Sequence, residues 1–173
     1  PPVFAIRKKK DSSIVVGLKM VKEQKADAFV SSGSTGAVLV GGQVLVGRSK
    51  GVERPPLAPL IPTAKGVSLL IDCGANVDAR PSHLVQFAKM GSIYMEHVVG
   101  IKNPRVAIVN NGAEEEKGNA LVKETFPLLK EAEGINFIAL RHEIFRQVMR
   151  MLSYAKLLSE MLFSNFMRES VLN

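Results

Sequence analysis

Apolar residues recur at Ile14, Val15, Leu18 and Val21, behind Asp11 and Ser12 and ahead of the polar stretch Lys22 to Lys25. Steps of three and four place them on one face of a helix, and Asp11 and Ser12 offer side-chain oxygens to its first free N–H groups. Ala28, Phe29 and Val30 make a short apolar run that predicts a strand, leading through Ser31-Ser32-Gly33-Ser34-Thr35-Gly36 into the apolar stretch Ala37 to Val46. The unit reads as strand, small-residue loop, helix. Pro55, Pro56, Pro59 and Pro62 mark Gly47 to Lys65 as a connecting segment with one extended piece around Leu57 to Ile61.

The pattern restarts at Val67, Leu69, Leu70 and Ile71, a buried-type strand that ends in Asp72-Cys73-Gly74-Ala75-Asn76-Val77-Asp78-Ala79-Arg80. Pro81 suits the first position of a helix, where its missing N–H would be unpaired anyway, and the apolar spacing carries that helix to about His97. Val106 to Val109 predicts a third strand. Its loop, Asn110 to Asn119, leads into a helix through Leu121, Val122 and Leu128 to Lys130, which Pro127 is expected to kink or end early. Asn136 to Ile138 supplies a fourth strand. Strands alternating with helices pair in parallel through right-handed crossovers, so the expected class is α/β, an open mainly parallel sheet with helices on both faces. Ligands of such sheets sit at the carboxyl ends of strands, and the first three predicted strands all end there in loops rich in Gly and polar residues.

The 173 residues, 46% hydrophobic and 23% charged, suffice for one buried core and exclude a disordered or collagen-like chain. The longest uncharged apolar stretch, Ala37 to Gly47, is far shorter than the roughly 20 residues of a membrane-spanning helix. Cys73 is the only cysteine and no signal-like segment follows a basic start, which points to a reducing, cytoplasmic setting. Lys and Arg number 23 against 16 Asp and Glu, and the resulting +7 suggests an anionic partner: a phosphate-bearing substrate, an acidic protein or an anionic lipid surface. Nucleic acid is not expected, because basic residues are not interleaved with stacking aromatics and the chain has no Trp. Beyond an α/β domain over 1–139, Ile144, Val148, Met151, Leu152, Leu158, Met161, Leu162 and Phe166 recur at helical steps among Arg141, Arg146, Arg150 and Lys156. Residues 140–173 therefore read as a basic amphipathic helical segment, open both to docking on the core or a partner subunit and to binding an anionic membrane surface.

The loops hold the candidate chemistry. Glycines of Ser31 to Gly36 let the backbone approach an anion, and the hydroxyls of Ser32, Ser34 and Thr35 with the amides of the following helix can cradle a phosphate. Equally, Ser34 or Thr35 caps a tight turn and nothing more. The loop is neither a Walker loop, lacking the Gly-Lys-Ser/Thr ending, nor the three-glycine dinucleotide fingerprint. Asn76, Asp78, Arg80 and His83 either surround a bound group or reduce to Asp78 capping the helix and pairing with Arg80. Calcium is excluded because Gly74 replaces a ligand and His83 stands where a bidentate Glu is needed, and the dispersed His83, His97 and His142 have no zinc spacing. Cys73 with His83 offers nucleophile-and-base chemistry, against the plainer reading of a buried apolar thiol after a strand. Glu114 to Glu116 fits a solvated acidic first turn, which leaves Lys117 as the unusual member. Together Lys117 and Asn119 can bind an anion or polarise a carbonyl, one by charge and the other by an aimed hydrogen bond.

Ala26 to Gly36, Leu70 to Gly91 and Pro104 to Lys123 resemble the phosphate acyltransferase family, which makes acyl phosphate from an acyl carrier protein thioester and inorganic phosphate for phospholipid synthesis. The most specific pieces are Asp72-Cys73-Gly74-Ala75-Asn76-Val77-Asp78, continuing through Pro81, His83, Leu84-Val85-Gln86-Phe87-Ala88 and Met90-Gly91, and Lys117-Gly118-Asn119. The resemblance implies a fold similar to isopropylmalate dehydrogenase and phosphotransacetylase, a cytoplasmic homodimer, and a peripheral position at the inner face of the membrane. It implies direct attack of bound phosphate on the thioester, with no acyl-enzyme, metal or organic cofactor. Ser32, Gly33, Ser34, Thr35, Gly36, Asp78 and Arg80 would bind phosphate or substrate, while Lys117, Asn119, Asn76 and His83 would be catalytic. The family's usual Ser-Ala-Gly-Asn-Thr-Gly is Ser31-Ser32-Gly33-Ser34-Thr35-Gly36 here, and Cys73 replaces an apolar residue. The family's opening Met-Gly-Gly-Asp loop and a later Asp-Gly-Phe-x-Gly-Asn segment have no counterpart, so the domain over 1–139 is expected to be incomplete at both ends, part of a chain about twice as long. The alternatives are a phosphotransacetylase-like or dinucleotide-dependent relative, and a non-catalytic membrane-surface scaffold module.

Overall fold

A computed structural model describes residues 2–63, 66–76, 78–110 and 118–141. They divide into two compact units, one of residues 2–59 with Ile71–Ala79 and one of Leu60–Leu70 with residues from Arg80 onward. The described architecture is mixed α/β, with helices and two two-stranded sheets. The segment expected to be an amphipathic helix lies, beyond Arg141, outside the described residues.

The first unit is built from α1 (Pro2–Lys8), α2 (Ser13–Lys22) and α3 (Thr35–Gly41), which continues as a π-helical turn over Gly42–Val46. Ile6, Val15 and Ala37 are its buried centre, with Ile14, Val40 and Leu45 packed against them. Helix α2 starts after Ser12, as its apolar spacing predicts, although the Ser12 side chain makes no capping bond. Helix α1 has no counterpart among the predicted elements: the buried Ile6 anchors a short helix whose last turn carries Arg7 and Lys8. At Gly41 a Cβ would come within 2.6 Å of Leu18 Cδ1, so the missing side chain is what lets α3 close on α2.

The strand expected at Ala28 to Val30 does not form. Val30 is 93% exposed, and no strand among the described residues pairs with this run. Three apolar residues have no strand structure without a ladder to satisfy their N–H and C=O groups. Phe29 finds cover of another kind, its ring lying over the bare Cα of Gly17.

In the second unit β1 (Leu60–Thr63) and β2 (Gly66–Leu69) form an antiparallel hairpin, Leu60 opposite Leu69 and Thr63 opposite Gly66. This corrects two expectations, since the predicted strand over Val67 to Ile71 ends earlier and pairs antiparallel. The reason is proximity: two residues separate the strands, enough for a hairpin and far short of the dozen or more a parallel crossover needs. The remainder follows the pattern closely. Helix α4 (Pro81–His97), β3 (Arg105–Val109), α5 (Ala120–Glu131) and β4 (Asn136–Arg141) come in order, and β3 pairs parallel with β4 across the α5 crossover. Ala88, Ile108, Phe126 and Leu129 are buried between the layers, and Phe126 meets Phe137 edge-on at 5.5 Å. Pro127 neither ends nor shortens α5, which runs four residues beyond it. Pro127 and Lys123 are both exposed, so the Lys123 carbonyl, deprived of its i+4 donor, is left to solvent rather than to the core.

Candidate active site

Within the first unit, Ser31 to Thr35 form an exposed loop running into α3, with Gly36 half-buried. Gly33 N–H donates to Ser31 Oγ at 3.0 Å, which tightens the turn. Ser34 holds the N-cap position through its backbone, its carbonyl accepting from the N–H groups of Ala37 and Val38 at 3.0 and 3.1 Å. The Ser34 side chain makes no capping bond. The hydroxyl is therefore not consumed in ending the helix, which removes the simplest version of the capping interpretation.

The loop after β2 is held differently. The Asp72 carboxylate accepts from Leu57 N–H at 2.7 Å and Ala75 N–H at 3.3 Å on Oδ1, and from Asn76 N–H at 2.7 Å on Oδ2. Cys73 N–H donates to Leu57 C=O at 2.8 Å, closing a reciprocal pair between the loop and the proline-rich segment. Asn76 Nδ2 donates to Pro55 C=O and to Asp72 Oδ2, both at 3.2 Å. A carbonyl and a carboxylate only accept, so this orientation of the amide is the one that satisfies both neighbours, and both amide hydrogens are spent. Gly74 supplies the turn at φ +87°. Asp78 is exposed.

Burial, and secondarily the charge of Asp72, push the Cys73 thiol above its ordinary pKa. A nucleophilic cysteine needs the opposite shift. The Cys73–His83 chemistry loses its electrostatic basis.

In the second unit Arg80, not Asp78, occupies the N-cap of α4, and Pro81 is its first helical residue, as expected. His83 is 4% exposed, lies 6.4 Å from Phe87 between ring centroids, and accepts the Arg80 backbone N–H on Nδ1 at 3.1 Å. An N–H only donates, so Nδ1 is bare and the neutral ring carries its proton on Nε2. His83 thus does at the third helical position what Glu or Gln does in a capping box.

At the carboxyl end of β3, Asn110 is buried. A Cβ on Gly118 would fall 2.7 Å from Asn110 Oδ1, and Gly118 has φ +115°, so two constraints exclude a side chain there. Asn119 caps α5, its Oδ1 accepting from Val122 N–H at 3.0 Å. Because the oxygen is fixed in the cap, the Nδ2 group is left as an oriented donor. Lys117, with Glu114 to Glu116, lies outside the described residues. Sequence reasoning assigned no function to Asp72 or Asn110. An Asp at a strand end with Asn four residues on and Gly between is a turn signature that could have flagged the first.

A fatty acid synthesis protein family matches residues 1–151. Over 130 residues the chain is 60% identical to a phosphate acyltransferase of Alkaliphilus oremlandii, covering 75% of this chain and 39% of that protein. Phosphate acyltransferases of Clostridium perfringens and Caldicellulosiruptor bescii are each 56% identical over 137 residues, covering 79% of this chain and 40% and 41% of theirs. The chain belongs to the phosphate acyltransferase family, as its motifs imply. It spans about two-fifths of the length of the curated relatives it matches.

Proposed function

We propose that the protein containing this chain transfers a long-chain acyl group from acyl carrier protein to inorganic phosphate, giving acyl phosphate for phospholipid synthesis. Membership of a family whose matched relatives are named phosphate acyltransferase supports the reaction type. One geometric observation carries the reading: Asn119 is locked into the α5 cap by its oxygen, so its Nδ2 is an aimed donor two residues after Lys117. A fixed donor of this kind is what a developing oxyanion needs.

In the proposed step an oxygen of hydrogen phosphate attacks the thioester carbonyl, the O–C bond forms as the C–S bond breaks, and the carrier leaves as its thiol with the proton that the phosphate gives up. Ser32 to Gly36 hold phosphate through hydroxyls and backbone amides, with Asp78 and Arg80 contributing to binding. Lys117 and Asn119 stabilise the charge, and His83 and Asn76 order the reactants. The raised pKa of Cys73 favours phosphate rather than a thiolate as the nucleophile. The parallel β3–α5–β4 unit is proposed to belong to an open mainly parallel sheet of the isopropylmalate dehydrogenase and phosphotransacetylase kind, in a cytoplasmic homodimer that works against the inner, anionic membrane surface. The +7 charge suits an acidic carrier protein and that surface alike.

Mass-spectrometric detection of acyl phosphate, from long-chain acyl carrier protein and phosphate supplied to the full-length protein, tests the reading. Lys117→Ala should lower that product at least tenfold, with circular dichroism and melting temperature matching the unaltered protein. Absence of acyl phosphate with the unaltered protein overturns the assignment.

A further inference from the structure

Asp72 has no part in the reaction as set out above, yet its carboxylate collects four N–H donors on two oxygens, three from the backbone and one from Asn76. Through Leu57 it ties the turn to a segment fifteen residues earlier in the chain. We propose that Asp72 is a positioning residue acting through Asn76, and that Asn76 serves the reactants only as a hydrogen-bond acceptor. The kinetic part of the proposal rests on the acyl phosphate reading; the geometric part does not.

Asn76 is held at three points: its backbone N–H and one amide hydrogen on Asp72 Oδ2, and its other amide hydrogen on Pro55 C=O. Rotating the carboxamide by half a turn would set its oxygen against a carboxylate and a carbonyl, two acceptors, and lose both bonds. The oxygen is then the one atom of this amide open to a reactant. An oxygen lone pair repels a fully deprotonated anionic oxygen and attracts an N–H or O–H. In the proposed reaction those donors are the hydroxyl of hydrogen phosphate or an amide N–H on the carrier's thioester arm. Oxyanion stabilisation accordingly falls to Lys117 and Asn119, and Asn76 with Asp72 selects a protonated partner. Asp72 is needed because its Oδ2 is one of the two acceptors that fix which end of the Asn76 amide faces outward and also holds the Asn76 backbone N–H, and without it Pro55 C=O alone remains.

The test compares the full-length unaltered protein with Asp72→Asn, Asn76→Ala and the double variant, using hydrogen exchange of the Asn76 side-chain amide by NMR together with steady-state kinetics. Asp72→Asn should speed exchange of the Asn76 amide hydrogens at least tenfold and lower kcat/KM at least tenfold, while the double variant loses no more than Asn76→Ala alone. A raised KM for phosphate identifies the phosphate hydroxyl as the donor; a raised KM for the acylated carrier identifies the amide. Unchanged exchange in Asp72→Asn, or losses that multiply in the double variant, overturns the proposal. A fall in melting temperature without either change does the same. Should Asp72→Asn not fold, Asn76→Asp decides, because it keeps an acceptor and breaks the latch: activity as low as that of Asn76→Ala supports the proposal, and near-normal activity refutes it. If the unaltered protein makes no acyl phosphate, the functional reading fails and the exchange rates still judge the latch.

Discussion

The loops Ser31–Gly36 and Asp72–Asn76 lie in the same unit and are both built from small and polar residues, yet they use their polar groups in opposite ways. Asp72, Asn76, Cys73 and Leu57 bond to one another and to Pro55 until the donors of the Asn76 amide are spent and only its oxygen is left over. The other loop keeps one internal bond, Gly33 N–H to Ser31, and leaves Ser32, Ser34 and Thr35 exposed, with the Ser34 hydroxyl unused as a cap. A loop that spends its donors on itself is a scaffold. One whose donors stay open has something left to give a ligand, which supports the proposal of Ser31–Gly36 as the anion cradle and of Asp72–Asn76 as a support. Asn119, in the other unit, combines both kinds of use, its acceptor spent on α5 and its donor kept.

The largest expected effect falls on the Asp72–Asn76 loop. Asp72→Ala removes a charged acceptor from three backbone N–H groups and should cost about 3 kcal/mol in chemical denaturation, on the order of a hundredfold in the folding equilibrium. Ser34→Ala, in the open loop, should change stability by less than about 0.5 kcal/mol, where loss of a working cap would cost about 1 kcal/mol. Equal losses at the two positions would erase the distinction.

Asn119→Asp sharpens the intermediate case. It keeps a cap oxygen, adds a charge the helix start favours, and deletes the NH2 group, so acyl phosphate formation should fall at least tenfold while the melting temperature holds or rises slightly. Turnover near normal would leave Asn119 as a cap alone. Smaller again, Thr35→Val should raise the phosphate concentration needed for half-maximal rate severalfold with stability and saturating rate little changed. No shift in phosphate dependence would return that loop to a turn.

The smallest effect is expected at Cys73. Cys73→Ser should retain activity, and iodoacetamide should label Cys73 slowly at neutral pH, accelerating only above the ordinary thiol pKa because the folded state holds the proton more tightly. The linkage has a definite sign: between the unfolded and the raised folded pKa the unfolded chain binds fewer protons, so stability declines as pH rises through that window. Rapid labelling at neutral pH, or an acyl adduct on Cys73, would revive the thiol mechanism.

Local chemistry determined the part of this protein that neighbouring residues can settle among themselves. Ser12 before Ile14 and Val15, Pro81 before an apolar helix, and the apolar run Val106 to Val109 each state their element within a few residues, and α2, α4 and β3 appear where those signals put them, whereas the start of α5 at Ala120 behind a capping Asn119 is a finding of the structure. The candidate loops were legible for the same reason, and the motifs around Asp72 and Lys117 carried the family. Pairing was not legible. Ala28 to Val30 has the composition of a strand and no ladder partner among the described residues, while Val67 to Leu69 took its partner from a proline-rich neighbour two residues away. Roles within the loops were also beyond sequence, since Asn76 and Asn119 have the same side chain. Only the tertiary structure shows that one spends its donors on Pro55 and Asp72 and the other its acceptor on Val122. The physical reason is that helices, caps and turns close their hydrogen bonds within four residues, whereas strands and amide orientations are fixed by whichever distant groups the folded chain brings opposite them.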